Sequence, residues 1–325
     1  MSALPTAEQA AEFAAAADLA HAEFFVVINP GSGARQADEK RAAIEAALAE
    51  AGRKFRFVPV EPGQIVAACQ QAAQQAAQEG GVLVAVGGDG TLNAGAQAAL
   101  THGCPFGAVA QGTFNMFARE HGLPLDAAEA ARALATARPE PVQVGLVNQH
   151  IFLVNAAVGL YPKLLQDRET VNRQLGRRRN WINLITSVVS LFDWRLQLRL
   201  EVELDGEVAR LRTPSLFVCN NRLQLDRVGI EEQVVTQVGR GRLAALVARP
   251  MGVAGKLKVL WRAAWGRLGD GPELDSRAMR SLAVTTRGAR RIKVSTDGEV
   301  QWMQLPLRFA VSPQPLMLMR PAVPE

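Results

Sequence analysis

A chain of 325 residues with 48% hydrophobic and 21% charged residues is neither disordered nor fibrous, and its length predicts two domains rather than one core. Its formal net charge of +5 suits anionic partners such as nucleotides or a membrane surface and is too small to argue for nucleic acid. The three cysteines, Cys69, Cys104 and Cys219, are scattered without metal-ligand spacing and read as reduced thiols in a cytoplasmic protein; His21, His102, His121 and His150 show no paired spacing either.

Residues 1–22 carry Glu8, Glu12 and Asp18 and lack the basic start and apolar block of an export signal, so an Ala-rich leader or helix is expected there. From Phe24 the pattern alternates. FFVVI (Phe24 to Ile28) is a continuous apolar run, as expected for a strand buried on both faces. A helix is predicted from about Gln36 to Ala51, a strand over Phe55 to Val60 and a helix over Gln64 to Gln78. Then come a strand at Val82 to Val86, a helix at Leu92 to Leu100 and a strand at Pro105 to Ala110. Two helices, Phe114 to Glu120 and Asp126 to Ala137, close the segment. Strands alternating with helices imply βαβ units and a mainly parallel sheet.

After Pro139-Glu140-Pro141 the grammar changes, which sets the boundary near residue 143 and divides the chain into 23–143 and 144–311. Leu196 to Asn220 alternates at period two around Asp205-Gly206, and Arg291 to Val311 does the same around Asp297-Gly298; Asp-Gly at such a centre predicts a type I′ hairpin. GRLAALVA (Gly241 to Ala248) reads as strand and Val253 to Leu268 as helix. The second half is therefore expected to be an antiparallel β domain with a few helices. No run approaches the roughly 20 apolar residues of a membrane span.

Three strand-to-helix junctions carry glycine beside small polar residues: NPGSG (Asn29 to Gly33), GGDGTLN (Gly87 to Asn93) and QGTFN (Gln111 to Asn115). Glycine there lets backbone N–H groups approach an anion, and the following helix presents unpaired N–H groups and a positive dipole end. Parallel sheets bind ligands at the carboxyl ends of their strands, so the three loops can share one edge. There is no Walker loop and no GxGxxG opening a helix. An isolated glycine turn is more often structural; three together point to phosphate.

GGDGTLN, NPGSG and GTFNMFAR (Gly112 to Arg119), continued by VNAAVGL (Val154 to Leu160) and a DGEV near residue 300, resemble the diacylglycerol kinase catalytic family. That family includes bacterial lipid kinases and sphingosine and ceramide kinases and is distantly related to NAD kinases. The resemblance runs from about Phe24 to Pro321. It implies a Rossmann-like nucleotide domain followed by a β-sandwich-like domain, ATP bound between them, and a C-terminal segment (312–325) returning to the first. It also implies Mg²⁺-dependent transfer of the γ-phosphoryl of ATP to a lipid hydroxyl. Asn29, Pro30, Ser32, Gly33, Gly87, Gly88, Gly90, Thr91 and Asn93 are the implied nucleotide contacts, with Gly112, Thr113 and Asn115 lining the adjoining cleft. Asp89 is implied as the catalytic and Mg²⁺-binding carboxylate. DGEV occurs twice, at Asp205 to Val208 and at Asp297 to Val300, and spacing alone does not separate them. The resemblance makes Glu299 the general base and Glu207 its structural twin.

The chain departs from the family at several acidic positions. Ala94 stands where many members carry glutamate, Met116 where they carry aspartate, Ala110 for a proline, and Gly63-Gln64 for a Gly-Asp pair. QVGRGRLAAL (Gln237 to Leu246) replaces the acidic segment that holds a structural Mg²⁺ in some members, so no second metal is expected. Two basic, tryptophan-bearing stretches, Leu175 to Arg199 and Lys256 to Leu268, suit either a membrane surface or the rim of the second domain. The partners expected are a lipid substrate at the membrane surface, with peripheral attachment to its inner face, no nucleic acid, and room for a homodimer. A non-catalytic lipid- or nucleotide-binding protein and a kinase for a soluble acceptor are the alternatives.

Overall fold

The computed structural model describes residues 19, 21–30, 34–61, 63–159, 198–249 and 274–321. The chain divides into two compact units, Met1–Val144 with Ser312–Glu325, and Gly145–Val311.

In the first unit, β1 (Phe24–Ile28) pairs in parallel with β2 (Phe55–Val58) on one side and β3 (Val82–Gly87) on the other, and β3 pairs in parallel with β4 (Phe106–Ala110). Two further strands, β5 (Arg138–Val142) and β18 (Leu316–Arg320), complete the order β2-β1-β3-β4-β18-β5, with β18 parallel to β4 and antiparallel to β5. The inner strands are apolar on both faces because helices cover both. Phe24, Val26, Val82, Val84 and Val109 pack with Ile44, Ala47 and Leu48 of α1 (Ala34–Glu50) and with Ala127, Ala131 and Leu134 of α5 (Ala127–Thr136). The opposite face receives α2 (Ile65–Glu79) and α3 (Asp89–His102), with α4 (Met116–Glu120) following β4. Gly95 lets α3 lie against the sheet, since a Cβ there would stand 2.8 Å from both the Ala85 methyl and the Phe106 ring. Asp126 caps α5, accepting from the N–H groups of Ala128 and Glu129.

The second unit is all antiparallel among its described strands. One sheet runs β10-β9-β14-β17-β6-β7, built from β6 (Gly145–Val147), β7 (His150–Phe152), β9 (Leu198–Leu204), β10 (Glu207–Thr213), β14 (Ser281–Thr286) and β17 (Leu307–Val311). The other runs β13-β12-β11-β8-β15-β16, from β8 (Asn155–Gly159), β11 (Ser215–Cys219), β12 (Leu243–Ala248), β13 (Leu274–Met279), β15 (Arg291–Thr296) and β16 (Glu299–Gln304). Phe152, Leu200, Val284 and Phe309 of the first sheet share one core with Val158, Leu216, Leu243 and Val294 of the second, so the unit is a sandwich. Two short helices, α6 (Arg222–Arg227) and α7 (Glu232–Val235), follow β11.

The mixed α/β class, a parallel-sheet unit followed by an antiparallel one, is the class read from the sequence. Arg138 to Val142, given no element in the sequence reading, is strand: its two prolines are tolerated because β5 is the sheet's edge, where one side needs no ladder hydrogen bonds. One local reading needs correction. The helix of the second junction starts at Asp89 rather than after Thr91, because Gly88 is extended (φ −79, ψ −179) and serves as its N-cap. The predicted leader (apart from Leu19, His21 and Ala22), the helix at Val253 to Leu268 and the basic stretch up to residue 197 lie outside the described residues.

Candidate functional site

Because β1, β3 and β4 are neighbours in the sheet, their carboxyl-terminal loops come together. Asn29 follows β1; its N–H donates to the Val86 carbonyl and its side-chain amide donates to Thr91 Oγ1 at 2.8 Å. Thr91 is buried in the first turn of α3. Gln111, following β4, donates its N–H to the Gly87 carbonyl at 2.7 Å. The β3 and β4 loops touch at their glycines: a Cβ on Gly112 would stand 3.0 Å from the Gly88 Cα. A Cβ on Gly87 would stand 2.6 Å from Thr91 Cβ and Oγ1. These are the places where glycine is needed, and they concern packing of loop on loop. Gly87→Ala is therefore expected to displace Thr91, break its bond to Asn29 and cost about 1–3 kcal/mol, measured by denaturant unfolding.

Asn115 ties the β4 loop together. It sits in the left-handed region (φ 51), accepts the Gly112 N–H on its side chain at 2.8 Å and is the N-cap of α4. The backbone N–H groups of Asn115 and Met116 hydrogen-bond to the Asp89 carboxylate, while Asp89 Oδ1 is buried with no hydrogen-bond partner. Desolvation raises the carboxyl pKa and the two backbone bonds only partly offset it. A buried carboxylate oxygen lacking a donor fits a cation. Among the described residues no group of three or more His, Cys, Asp or Glu gathers to hold a metal, and Asp89 is the carboxylate that would hold a divalent cation here.

The sign of this shift gives a test. With the folded pKa above the unfolded one, ionised Asp89 opposes folding at neutral pH, and that cost is relieved as pH falls through the raised value. Asp89→Asn is expected to raise the melting temperature at pH 7 in the absence of ligand while removing activity; an unchanged or lower melting temperature contradicts the assignment.

Beside these loops, at the carboxyl ends of β1 and β2, a hollow of about 170 Å³ is lined by Ile28, Pro30, Phe57, Val58 and Val60, with the Arg41 guanidinium 4.4 Å over the Phe57 ring. Of the predicted phosphate-side residues, Asn29, Gly87, Gly88, Asp89, Thr91, Gly112 and Asn115 interlock as described. Gly90 and Asn93 lie on the first two turns of α3, Pro30 and Thr113 are exposed on their loops, and Ser32 and Gly33 lie outside the described residues. Ala94 and Met116, the positions that lack carboxylates, are on α3 and at the start of α4.

Glu299 belongs to the second unit, first residue of β16, exposed, opposite Thr296. Both DGEV turns have positive φ at Asp and Gly, 48 and 93 at Asp205-Gly206 and 49 and 95 at Asp297-Gly298, as type I′ turns require. Their aspartates have a second role that spacing did not reveal. Asp205 accepts from the N–H groups of Arg280 and Ser281, both exposed. Asp297 accepts from three: Leu153 (2.7 Å), Val154 (2.8 Å) and Asn155 (3.0 Å), all buried. Around that second anchor the Asn155 amide donates to Gln224, Asn220 donates to the Leu153 carbonyl, and Asn221 caps α6. Asn155 Oδ1 and Ser295 Oγ are buried there without partners. The two copies thus differ: the Glu299 turn rests on a buried polar cluster and the Glu207 turn on an exposed loop. Asp297, Asn155 and Gln224 escaped the sequence reading because their partners lie 69 to 144 residues away in the chain.

His121 shows a further feature of the first unit. Its ring packs edge-on against Phe117 at 4.6 Å, and burial, with the nearby Arg320 charge, lowers its pKa to about 4. It is neutral in the folded chain and protonates in the unfolded one, so stability is lost as pH falls from about 6.5 to about 4, by at most about 3 kcal/mol. Melting temperatures across that window should fall steeply for the natural chain and less for His121→Phe.

The first unit is thus a Rossmann-like α/β domain in which Asn29 after β1 and the glycine loops after β3 and β4 gather at the carboxyl ends of three adjacent parallel strands. Residues 23–147 match the family model of the diacylglycerol kinase catalytic domain, and the chain resembles that family as read from its motifs. The chain is 28% identical over 192 residues to the diacylglycerol kinase of Bacillus subtilis, a match taking in 56% of this chain and 60% of that protein. It is 38% identical over 145 residues to the "Probable lipid kinase YegS-like" protein of Pseudomonas aeruginosa, over 43% of this chain and 46% of that one. The chain spans about half the length of the curated relatives it matches. Among solved structures, a diacylglycerol kinase from Bacillus anthracis superposes with a TM-score of 0.62 at 17% identity, covering 92% of this chain and 97% of that one. A second chain from that organism reaches 0.70 at 19% identity with the same coverage. At these identities the structures show a shared fold.

Proposed function

We propose that the protein is an ATP- and Mg²⁺-dependent lipid kinase that transfers the γ-phosphoryl of ATP to a hydroxyl of diacylglycerol or a related lipid. The observation that carries this is Asp89 Oδ1, a buried carboxylate oxygen without a partner where the β3 and β4 glycine loops meet. A bound divalent cation would satisfy that oxygen. Asn29, Pro30, Ser32, Gly33, Gly87, Gly88, Gly90, Thr91 and Asn93 are the proposed phosphate-side contacts, with Gly112, Thr113 and Asn115 beside them. The hollow at β1 and β2, whose apolar lining is joined by Asp38 and Arg41, offers a seat for the nucleotide base. Mg²⁺ would neutralise charge on the phosphates. Glu299 accepts the proton of the lipid hydroxyl as its oxygen bonds to the γ-phosphorus and the bond from that phosphorus to the departing ADP breaks.

Acting on a lipid, the protein would work peripherally at the cytoplasmic face of a membrane; among the described residues no helix is long and apolar enough to cross one. A comparison of acceptors tests the reading. Mg²⁺-dependent ATP consumption should rise with dispersed diacylglycerol or a related lipid and not with NAD. Stimulation by NAD alone would move the protein to the soluble-acceptor class, and stimulation by neither would favour a non-catalytic binder.

A further inference from the structure

The outer face of the β9–β10 hairpin carries charge that its own sheet does not balance. Leu200 and Val202 of β9 point into the sandwich core, so Arg199 and Glu201 point outward; on β10, Arg210 and Arg212 lie on the exposed side. In the register of this pair Arg212 stands directly opposite Arg199, while Arg210 stands opposite Glu201 and pairs with it at 3.6 Å. Directly opposed like charges in a sheet are destabilising. Arg287, just beyond β14, joins them, and together these residues line a hollow of about 490 Å³ whose single carboxylate, Glu201, is already engaged by Arg210. Among the described residues, Arg199, Arg212 and Arg287 form no ion pair.

We infer that this hollow is a docking site for the phosphate groups of an anionic phospholipid bilayer. Four guanidinium groups against one carboxylate leave a net charge of +3 around the hollow, with Glu203, exposed two residues along β9, outside its lining. Guanidinium binds phosphate by parallel N–H donors and is the side chain best suited to it. The groups project from an open face at a sheet edge, and Val208, exposed on the same side of β10, adds apolar surface there. That display suits phosphates presented by a surface. The inference draws on the lipid-kinase reading only for the reason a bilayer is near; its geometry and its test are independent of catalysis.

Sedimentation with vesicles, without ATP, tests it. The full chain should bind phosphatidylcholine vesicles containing phosphatidylglycerol, in a salt-sensitive way, and should not bind phosphatidylcholine alone. Arg199→Ala with Arg212→Ala should weaken that binding at least about tenfold, at roughly 1 kcal/mol per arginine near the surface. Arg287→Ala, which lies outside the opposed pair, should give part of the loss. Arg132→Ala with Arg138→Ala, an equal charge change on exposed residues of the first unit, should leave binding within about twofold. Equal losses from the two double variants, or no loss from the first, would overturn the proposal. So would a hollow that protects the protein thermally with inorganic phosphate, in an Arg199- and Arg212-dependent way, while vesicle binding is unaffected. Retained vesicle binding in a chain that phosphorylates no lipid would count against the kinase reading and leave this one standing.

Discussion

Glu299→Gln is expected to lower phosphoryl transfer by about 10²–10⁴-fold, the range for loss of a general base, while Glu207→Gln leaves it within about twofold. The two glutamates occupy the same place in the same turn, each beginning the return strand after Asp-Gly. What separates them is the ground beneath. The Glu299 turn is bound to the buried 153–155 backbone beside Asn155, whose amide oxygen has no partner, and the Glu207 turn to the exposed Arg280 and Ser281. A proton acceptor needs a fixed backbone, and the first arrangement anchors the turn through Asp297. Steady-state kinetics on the two variants decide the matter: equal effects would remove Glu299 from the catalytic role.

The second large effect is structural. Asp297→Ala leaves three N–H groups of buried residues without an acceptor, and such groups cost about 1–3 kcal/mol each, so a loss of roughly 3 kcal/mol or more is expected. Asp205→Ala frees two N–H groups of exposed residues that water can reach, and should cost no more than about 1 kcal/mol. Denaturant unfolding measures both. Asp297→Asn keeps one acceptor oxygen and should fall between. If Asp205→Ala proved as costly as Asp297→Ala, the distinction between the turns would fail along with the structural reason for favouring Glu299.

The sequence made the first unit legible because its code is local. Apolar runs such as Phe24 to Ile28 exist only where both faces are buried, and glycine marks each junction. The hairpins at Asp205 and Asp297 were equally readable, since type I′ geometry asks for Asp-Gly. Less legible was whatever depends on distant partners. β5, with two prolines in five residues, carries no strand signal of its own until β18, 174 or more residues later, pairs with it. The short strands β6, β7 and β8 leave too few alternations to register. Asp297 looks like a turn residue, and only the fold brings it the 153–155 backbone. His121 has no spacing signal at all, because its perturbation arises from burial and from Arg320 at the far end of the chain.

The central claim, phosphoryl transfer to a lipid, is tested most directly by incubating the pure protein with ATP labelled at the γ-phosphate, Mg²⁺ and a total lipid extract. The account predicts label in an organic-soluble lipid, lost with Asp89→Ala and strongly reduced with Glu299→Gln. Label that appears only in a soluble product, or in lipid equally with Asp89→Ala, would contradict it.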